Sequence, residues 1–373
     1  MINEERIINK FIEMVKIYSP SLEEREMANY LIGELKKLGL EVYEDNAGEI
    51  NKGNAGNIIG ILKGDGPEVM FSSHMDTVTP CKNIIPIIKD GKIMSKGDTI
   101  LGGDDKAGIA AILEMLYIIK ENNLKHPTLV IVFSIAEEIR LLGATSFDES
   151  KFNLKYGFIL DSSGKPGSVV KQAPYHEQIK LKFIGKAAHA GIEPEKGISA
   201  LYVAAKAISK LNIGRIDEET TLNLGIINGG HATNIVMEEL NIVGESRSFD
   251  EKKLGETIET VIEICQNTAE EYGAKLDYEL TREYDGFNFS EDYELIKLVK
   301  QAADNLKFPF KAESLGGGSD TNVYNKKGID TVNLGIGMSK VHSTSEYIEK
   351  EDLINSAELI LELVKVISND VTK

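Results

Sequence analysis

Glu68-Val69-Met70-Phe71-Ser72-Ser73-His74-Met75-Asp76 is a short apolar run that ends in an imidazole and, two residues on, a carboxylate. Its Val, Met and Phe content, and the Gly- and Pro-containing segment before it, are those of a buried strand. Three further runs have the same character, at 57–62, 128–135 and 156–160, each apolar and bounded by Gly, Pro or polar residues. Between 68–73 and 128–135 the spacing of Ile109, Ile112, Leu113, Leu116 and Ile119 predicts a helix over 106–121. Strand alternating with helix implies an α/β layer structure.

Toward the N-terminus, Ser21-Leu22-Glu23-Glu24 reads as a capping box that opens a helix ending near residue 38. From about residue 175 the order changes to strand, helix, strand, strand, helix, strand, over 175–184, 197–211, 220–227, 240–248, 250–272 and 275–280. Leu254, Ile258, Val261 and Cys265 share one face of the second helix, the stripe needed to pack on a sheet. That order is a split βαβ sandwich, two helices on a four-stranded antiparallel sheet. After about residue 285 the α/β character returns, with a helix over 290–306, the loop Gly316-Gly317-Gly318-Ser319-Asp320, an apolar run at 331–334, His342 and a final helix. The expected fold class is therefore α/β with a mixed sheet flanked by helices, interrupted by an α+β insertion of βαββαβ order. The first domain comprises 1–174 and 285–373 around an insertion at 175–284.

Composition narrows the partners. With 373 residues the chain exceeds the usual size of one core, so about two domains are expected. A formal net charge of −17 argues against nucleic acid and against anionic membranes, both of which need clustered Lys and Arg. Cys81 and Cys265 stand far apart and in no CxxC pattern, which supports neither a disulfide framework nor a thiolate zinc site. The acidic start Met1-Ile2-Asn3-Glu4-Glu5-Arg6 leads into an amphipathic helix rather than a basic segment and apolar core. No run approaches the roughly 18 apolar residues of a membrane span. A cytoplasmic protein is expected.

His74 and Asp76 follow one strand, Glu137 and Glu138 follow the 128–135 run, and Asp161 follows the 156–160 run. Ligand sites in open α/β sheets gather at such carboxyl ends. Each piece has a plainer reading by itself. A strand-end His can be a hydrogen-bonded structural residue, Asp104 an N-cap, Glu137-Glu138 an acidic turn, and Asp161-Ser162-Ser163-Gly164 an ordinary turn. Independent structural residues have no reason to collect at one sheet edge, however. Together with Asp104-Asp105 and His342 these side chains offer enough nitrogen and oxygen donors for two divalent ions. Mixed imidazole and carboxylate donors favour zinc over magnesium or calcium.

His74-Met75-Asp76-Thr77-Val78, Gly102-Gly103-Asp104-Asp105-Lys106-Ala107-Gly108, Ala136-Glu137-Glu138, Leu160-Asp161-Ser162-Ser163-Gly164 and Val341-His342-Ser343 resemble, in order, the motifs of the M20 metallopeptidase family. Within it the chain resembles the peptidase T-like, tripeptidase-like group over essentially its whole length. The resemblance implies a zinc-exopeptidase-like catalytic domain and an inserted lid and dimerisation domain. It implies that Asp104 bridges two zinc ions, that His74 and Asp161 complete one site, and that Glu138 and His342 complete the other. Cobalt or manganese would suit the same donors. Glu137 would be the general base toward a water between the metals, and Asp76 would accept a hydrogen bond from the far nitrogen of His74, fixing its tautomer. The Asp104-Asp105 peptide would be cis.

In the insertion, the matching roles fall on His189, Asn234 and Arg247. His189 would stabilise the tetrahedral oxyanion from a partner subunit, which implies a homodimer; its plainer reading is a surface loop histidine. Asn234, in Gly229-Gly230-His231-Ala232-Thr233-Asn234-Ile235-Val236, would touch substrate, although Met237 replaces the Pro common in the family. Arg247 would pair with a substrate carboxylate, or else forms a surface ion pair. Gly317, in the Gly-rich loop, would let backbone amides approach the substrate. The function this implies is a two-zinc exopeptidase releasing the N-terminal residue of short peptides, with lid closure. The alternatives are an amidohydrolase acting on N-acyl amino acids and a silent peptide-binding homologue.

Overall fold

The computed structural model describes residues 1–370, which divide into two compact units. The first comprises Met1–Lys171, Asn288–Ser314 and the chain from Ser319 onward; the second comprises Gln172–Phe287 and Leu315–Gly318.

The centre of the first unit is a mixed sheet. Its order is Glu41–Glu44, Ile58–Leu62, Thr128–Ser134, Glu68–His74, Leu154–Ser162, Thr331–Gly335, Ser168–Ala173 and Phe287–Asn288, with Lys311–Ser314 also paired to Ser168–Ala173. The four strands from Thr128–Ser134 to Thr331–Gly335 are parallel, and their neighbours on both sides are antiparallel. These parallel strands are buried nearly end to end, as expected where both faces are covered. Register sets His74 opposite Ser134 and Phe71 opposite Phe158, whose rings stack at 5.5 Å. The carboxyl ends of the parallel strands therefore lie side by side.

The helix Gly103–Asn122 packs on Glu68–His74 and Leu154–Ser162, and its outer side meets Glu4–Val15 and Lys350–Asp370. It is buried almost all round rather than along one stripe, which suits its Ala- and Gly-rich start and low polarity. Even Glu114 is inside, paired with Arg6 at 2.6 Å. Regular helical geometry begins only at Lys106, because Asp104 and Asp105 have non-helical backbone angles and the peptide between them is cis.

Two features depart from the sequence reading. Ser21 and Glu24 do not form a capping box. The helix is Arg25–Lys37, with Glu24 at the N-cap position and no side-chain cap bond, and both side chains turn to other partners described below. A small second sheet, Met338–Ser339, Tyr347–Glu349, Lys92–Ser95 and Pro86–Lys89, was not expected. Its strands have two to four residues, too short for a periodicity to register.

The second unit is an antiparallel sheet of four long strands in the order Thr220–Gly229, Glu239–Ser248, Tyr175–Ile184 and Lys275–Tyr284, with two-residue Gly214–Arg215 added at one edge. Helices Ala200–Ile208 and Glu251–Glu271 pack on the sheet and on each other, so the strand and helix order expected from the sequence is the one observed. Ile179, Leu181, Phe183, Val203, Leu254, Ile258, Val261 and Cys265 form its core, separate from that of the first unit. Asp250 caps the longer helix through the N–H groups of Lys252 and Lys253. Among the described residues, no helix is long and apolar enough to cross a membrane.

Candidate metal centre

Asp104 is the hub. Its Oδ1 lies 3.1 Å from His74 Nε2, and its Oδ2 lies 3.2 Å from His342 Nε2. His74 Nε2 is also 3.8 Å from Asp161 Oδ1, and His342 Nε2 is 3.0 Å from Glu138 Oε1. Two donor sets result, His74 with Asp104 and Asp161, and Asp104 with Glu138 and His342, each with ligand atoms within 4.8 Å of one another. Two donors about 2.05 Å from one tetrahedral ion stand about 3.4 Å apart, so these separations fit a shared-carboxylate pair of cation sites.

The surroundings explain how each side chain is held. Glu346, buried, accepts hydrogen bonds from Leu101 N–H (2.8 Å) and Gly102 N–H (2.9 Å) at one oxygen and from Asp104 N–H (3.0 Å) at the other. It thereby clamps the loop that presents Asp104. Asp105 accepts from Ser73 Oγ–H and from His74 N–H, tying the same loop to the strand end. Asn333 accepts from Asp161 N–H at 2.9 Å and donates to Asp161 O at 3.1 Å, fixing Asp161 from the next strand.

Asp76 has more partners than the His74 ring expected of it. His74 Nδ1 lies 2.9 Å from the backbone carbonyl of Asp76, and the carboxylate stands farther off at 3.4 Å. The Asp76 carboxylate also accepts from Glu137 N–H (3.0 Å), Glu138 N–H (3.2 Å) and Ser21 Oγ–H (2.6 Å). It orients the turn carrying both glutamates more directly than it orients the imidazole. Glu24 accepts from the N–H of Ala136 in the same turn at 3.0 Å.

Charge is out of balance here. Burial disfavours ionisation of Asp161 and Glu137, and neighbouring carboxylates raise both pKa values further. Burial and Asp76 push Glu24 up to about 7, and burial pushes Asp320 up to about 6. Burial would lower the His74 pKa, but Asp104 and Asp76 outweigh it and raise it. Hydrogen bonds to Asp104 and Glu138 push His342 up to about 10. Asp104 is shifted down despite its burial because both imidazoles face it. Lys106, fully buried, donates to Ile17 O at 2.8 Å, and burial lowers its pKa to about 8. A cluster so rich in buried carboxylates repels itself, and divalent cations are the partners that would relieve it.

The remaining sequence-predicted residues lie in the second unit. His189 is exposed and opposite Ile235 in an antiparallel bridge, and Ala190 N–H donates to Asn234 O at 2.9 Å, so His189 and Asn234 occupy adjoining segments. Arg247 donates to Gly316 O at 3.3 Å and pairs with Glu245 at 3.1 Å, which brings it beside the loop holding Gly317. Glu245 also meets His176 at 3.0 Å, and its pKa is lowered to about 2 by His176 and Arg247 despite partial burial. Tyr284 fills the space a side chain would need at Gly318, whose added Cβ would stand 2.2 Å from the ring.

The sequence reading missed Ser21, Glu24, Asp320 and Glu346. Ser21 and Glu24 carried a competing local signal, the capping spacing. Asp320, hydrogen-bonded by Ser134 Oγ–H at 2.5 Å, was visible only as part of a Gly-rich loop. Glu346 follows His342 by four residues in an irregular turn, and nothing local marks it.

A family model described as Peptidase family M20/M25/M40 matches residues 70–366. Uncharacterized protein YqjE of Bacillus subtilis is 39% identical over 367 residues, covering 98% of this chain and 99% of that protein. Among solved structures, aminopeptidase PepT from Bacillus cereus is 40% identical with a TM-score of 0.92, covering 98% of this chain and 99% of its own. A tripeptidase from Staphylococcus aureus is 38% identical with a TM-score of 0.95, covering 99% and 100%.

Proposed function

The chain belongs to peptidase family M20/M25/M40, and from that premise we propose that it is a metal-dependent exopeptidase that releases the N-terminal residue of short peptides, tripeptides foremost. The observation that carries this reading is the shared Asp104, with His74 and Asp161 about one oxygen and His342 and Glu138 about the other. These five residues would hold two zinc ions. Divalent cations held there would supply Lewis acidity toward the scissile carbonyl and would make a water molecule easier to deprotonate.

The protein's own groups do the rest. Glu137, beside this cluster with its backbone held by Asp76, would take a proton from the attacking water and deliver it to the leaving amine. Asp76 supports that step by holding the turn and, through its carbonyl, the His74 ring. His189 would donate to the oxyanion from the partner subunit of a homodimer formed through the second unit. Arg247 would trade Glu245 for the substrate carboxylate, and Asn234 and the Gly317 backbone would complete the polar contacts. A cytoplasmic peptidase acting on small peptides accords with the acidic, cysteine-poor composition.

A panel of tripeptides, dipeptides and N-acyl amino acids, with products identified and metal content measured, tests the reading. The expected result is release of the N-terminal residue from tripeptides by a protein holding two zinc ions per chain. Glu137→Gln should retain its metal and lose about a thousandfold or more in kcat. Preferential cleavage of N-acyl amino acids would replace the substrate class with that of an amidohydrolase. Normal turnover by Glu137→Gln would overturn the mechanism, and a fully active monomer would overturn the role of His189.

A further inference from the structure

Three successive N–H groups beyond the Thr128–Ser134 strand are each taken by a carboxylate. Ala136 N–H donates to Glu24 Oε1 at 3.0 Å, Glu137 N–H to Asp76 Oδ1 at 3.0 Å, and Glu138 N–H to Asp76 Oδ2 at 3.2 Å. Ala136 has a φ of 49°, in the left-handed region, so the chain turns sharply just before the two glutamates. The direction of this turn decides where each of their carboxylates points.

Glu24 reaches the turn from far away in sequence and is wholly buried, at 0% exposure. The same Oε1 accepts from Leu22 N–H at 2.8 Å, while Oε2 is buried without a hydrogen-bond partner. Three residues earlier, Ser21 Oγ–H donates to Asp76 at 2.6 Å. One short segment, 21–24, therefore braces both the carboxylate that holds Glu137 and Glu138 and the amide that precedes them. For the Arg25–Lys37 helix this is a poor choice, since Glu24 stands at the N-cap position and leaves the helix start without a side-chain cap. Local rules broken without local gain mark residues that serve a site.

We propose that Glu24 is a positioning residue for the general base, acting by fixing the Ala136 peptide so that Glu137 and Glu138 diverge. This rests on the assignment of Glu137 as base. It requires the length and acceptor oxygen of Glu24 and not its charge. A displacement of the base by about 1 Å is enough to cost about a hundredfold in rate.

Glu24→Gln keeps the length and the acceptor, and Glu24→Asp keeps the carboxylate but withdraws it from Ala136. With trialanine as probe and zinc-loaded enzyme, Glu24→Asp should lose about a hundredfold in kcat with KM and metal content little changed, and Glu24→Gln should stay within about fivefold of the native enzyme. Hydrogen exchange of the peptide spanning 135–139 should quicken in Glu24→Asp and remain slow in Glu24→Gln. The proposal is overturned if Glu24→Asp has native kcat, if Glu24→Gln is as impaired as Glu24→Asp, or if exchange in the turn is unaltered by either. Glu137→Gln, run alongside, separates the two failures: if it is inactive while both Glu24 variants behave as native, only the role of Glu24 falls.

Discussion

At His342 a proton and a bound cation would compete for one lone pair. Asp104 and Glu138, 3.2 and 3.0 Å away, push the imidazole pKa up to about 10, above its ordinary 6.5. The protonated form then prevails from acid through neutral pH, and a metal ion binds only by displacing that proton. Apparent zinc affinity should therefore rise with pH up to about 10, by about one log unit per pH unit for each titrating ligand. Competition against a chelator of known affinity between pH 6 and 8 measures this, and a flat profile would contradict the proposed ligand set. Residue chemistry was also where the sequence was most readable. His74, Asp104, Glu137, Glu138, Asp161 and His342 can be singled out because imidazole and carboxylate side chains stand in or beside strand-ending or glycine-containing segments. Ser21 and Glu24 could not, since their spacing satisfies a helix cap and only the competing acceptors and donors of the folded site reveal otherwise.

Among the elements, the Gly103–Asn122 helix matters most to the centre, because its irregular first residues carry Asp104 and its body rests directly on the strands that carry His74 and Asp161. Gly108 marks the tightest approach. A Cβ there would stand 2.4 Å from Leu160 O, 2.7 Å from Asp105 Oδ1 and 2.9 Å from Ser73 Oγ. Gly108→Ala should therefore destabilise the protein by about 2–3 kcal/mol in urea unfolding and weaken metal binding together with it, since backbone and ligand-holding groups must both shift. A native midpoint would show that the helix can slide to make room. The periodicity of Ile109, Ile112, Leu113, Leu116 and Ile119 located this helix from sequence, and regular geometry indeed starts at Lys106. By contrast, Pro86–Lys89 and Lys92–Ser95 were illegible. The two pair with each other as a short hairpin, and Lys92–Ser95 pairs on its other side with Tyr347–Glu349, far along the chain.

On the scale of the molecule, two hydrophobic cores divide the labour. One surrounds the mixed sheet that carries the candidate metal centre, and the other lies beneath the antiparallel sheet of the second unit. Zinc should stabilise only the unit that binds it, by about 2.7 kcal/mol at a free concentration a hundred times Kd. Calorimetric unfolding is expected to show two transitions, of which a chelator lowers one; a single transition that moves as a whole would refute this separation. Legible in the sequence are the strand and helix order of the second unit, the alternation that makes an α/β layer in the first, and the chemical types beside its strand ends. These are properties of neighbouring residues, written in periodicities of two and of about three and a half. Visible only once the chain is folded are the clamp of Glu346 on the loop behind Asp104 and the hold of Asp76 and Glu24 on the turn of Glu137. Each of these joins residues distant in the chain, and a buried N–H takes whichever acceptor the fold brings within 3 Å, which no local pattern records.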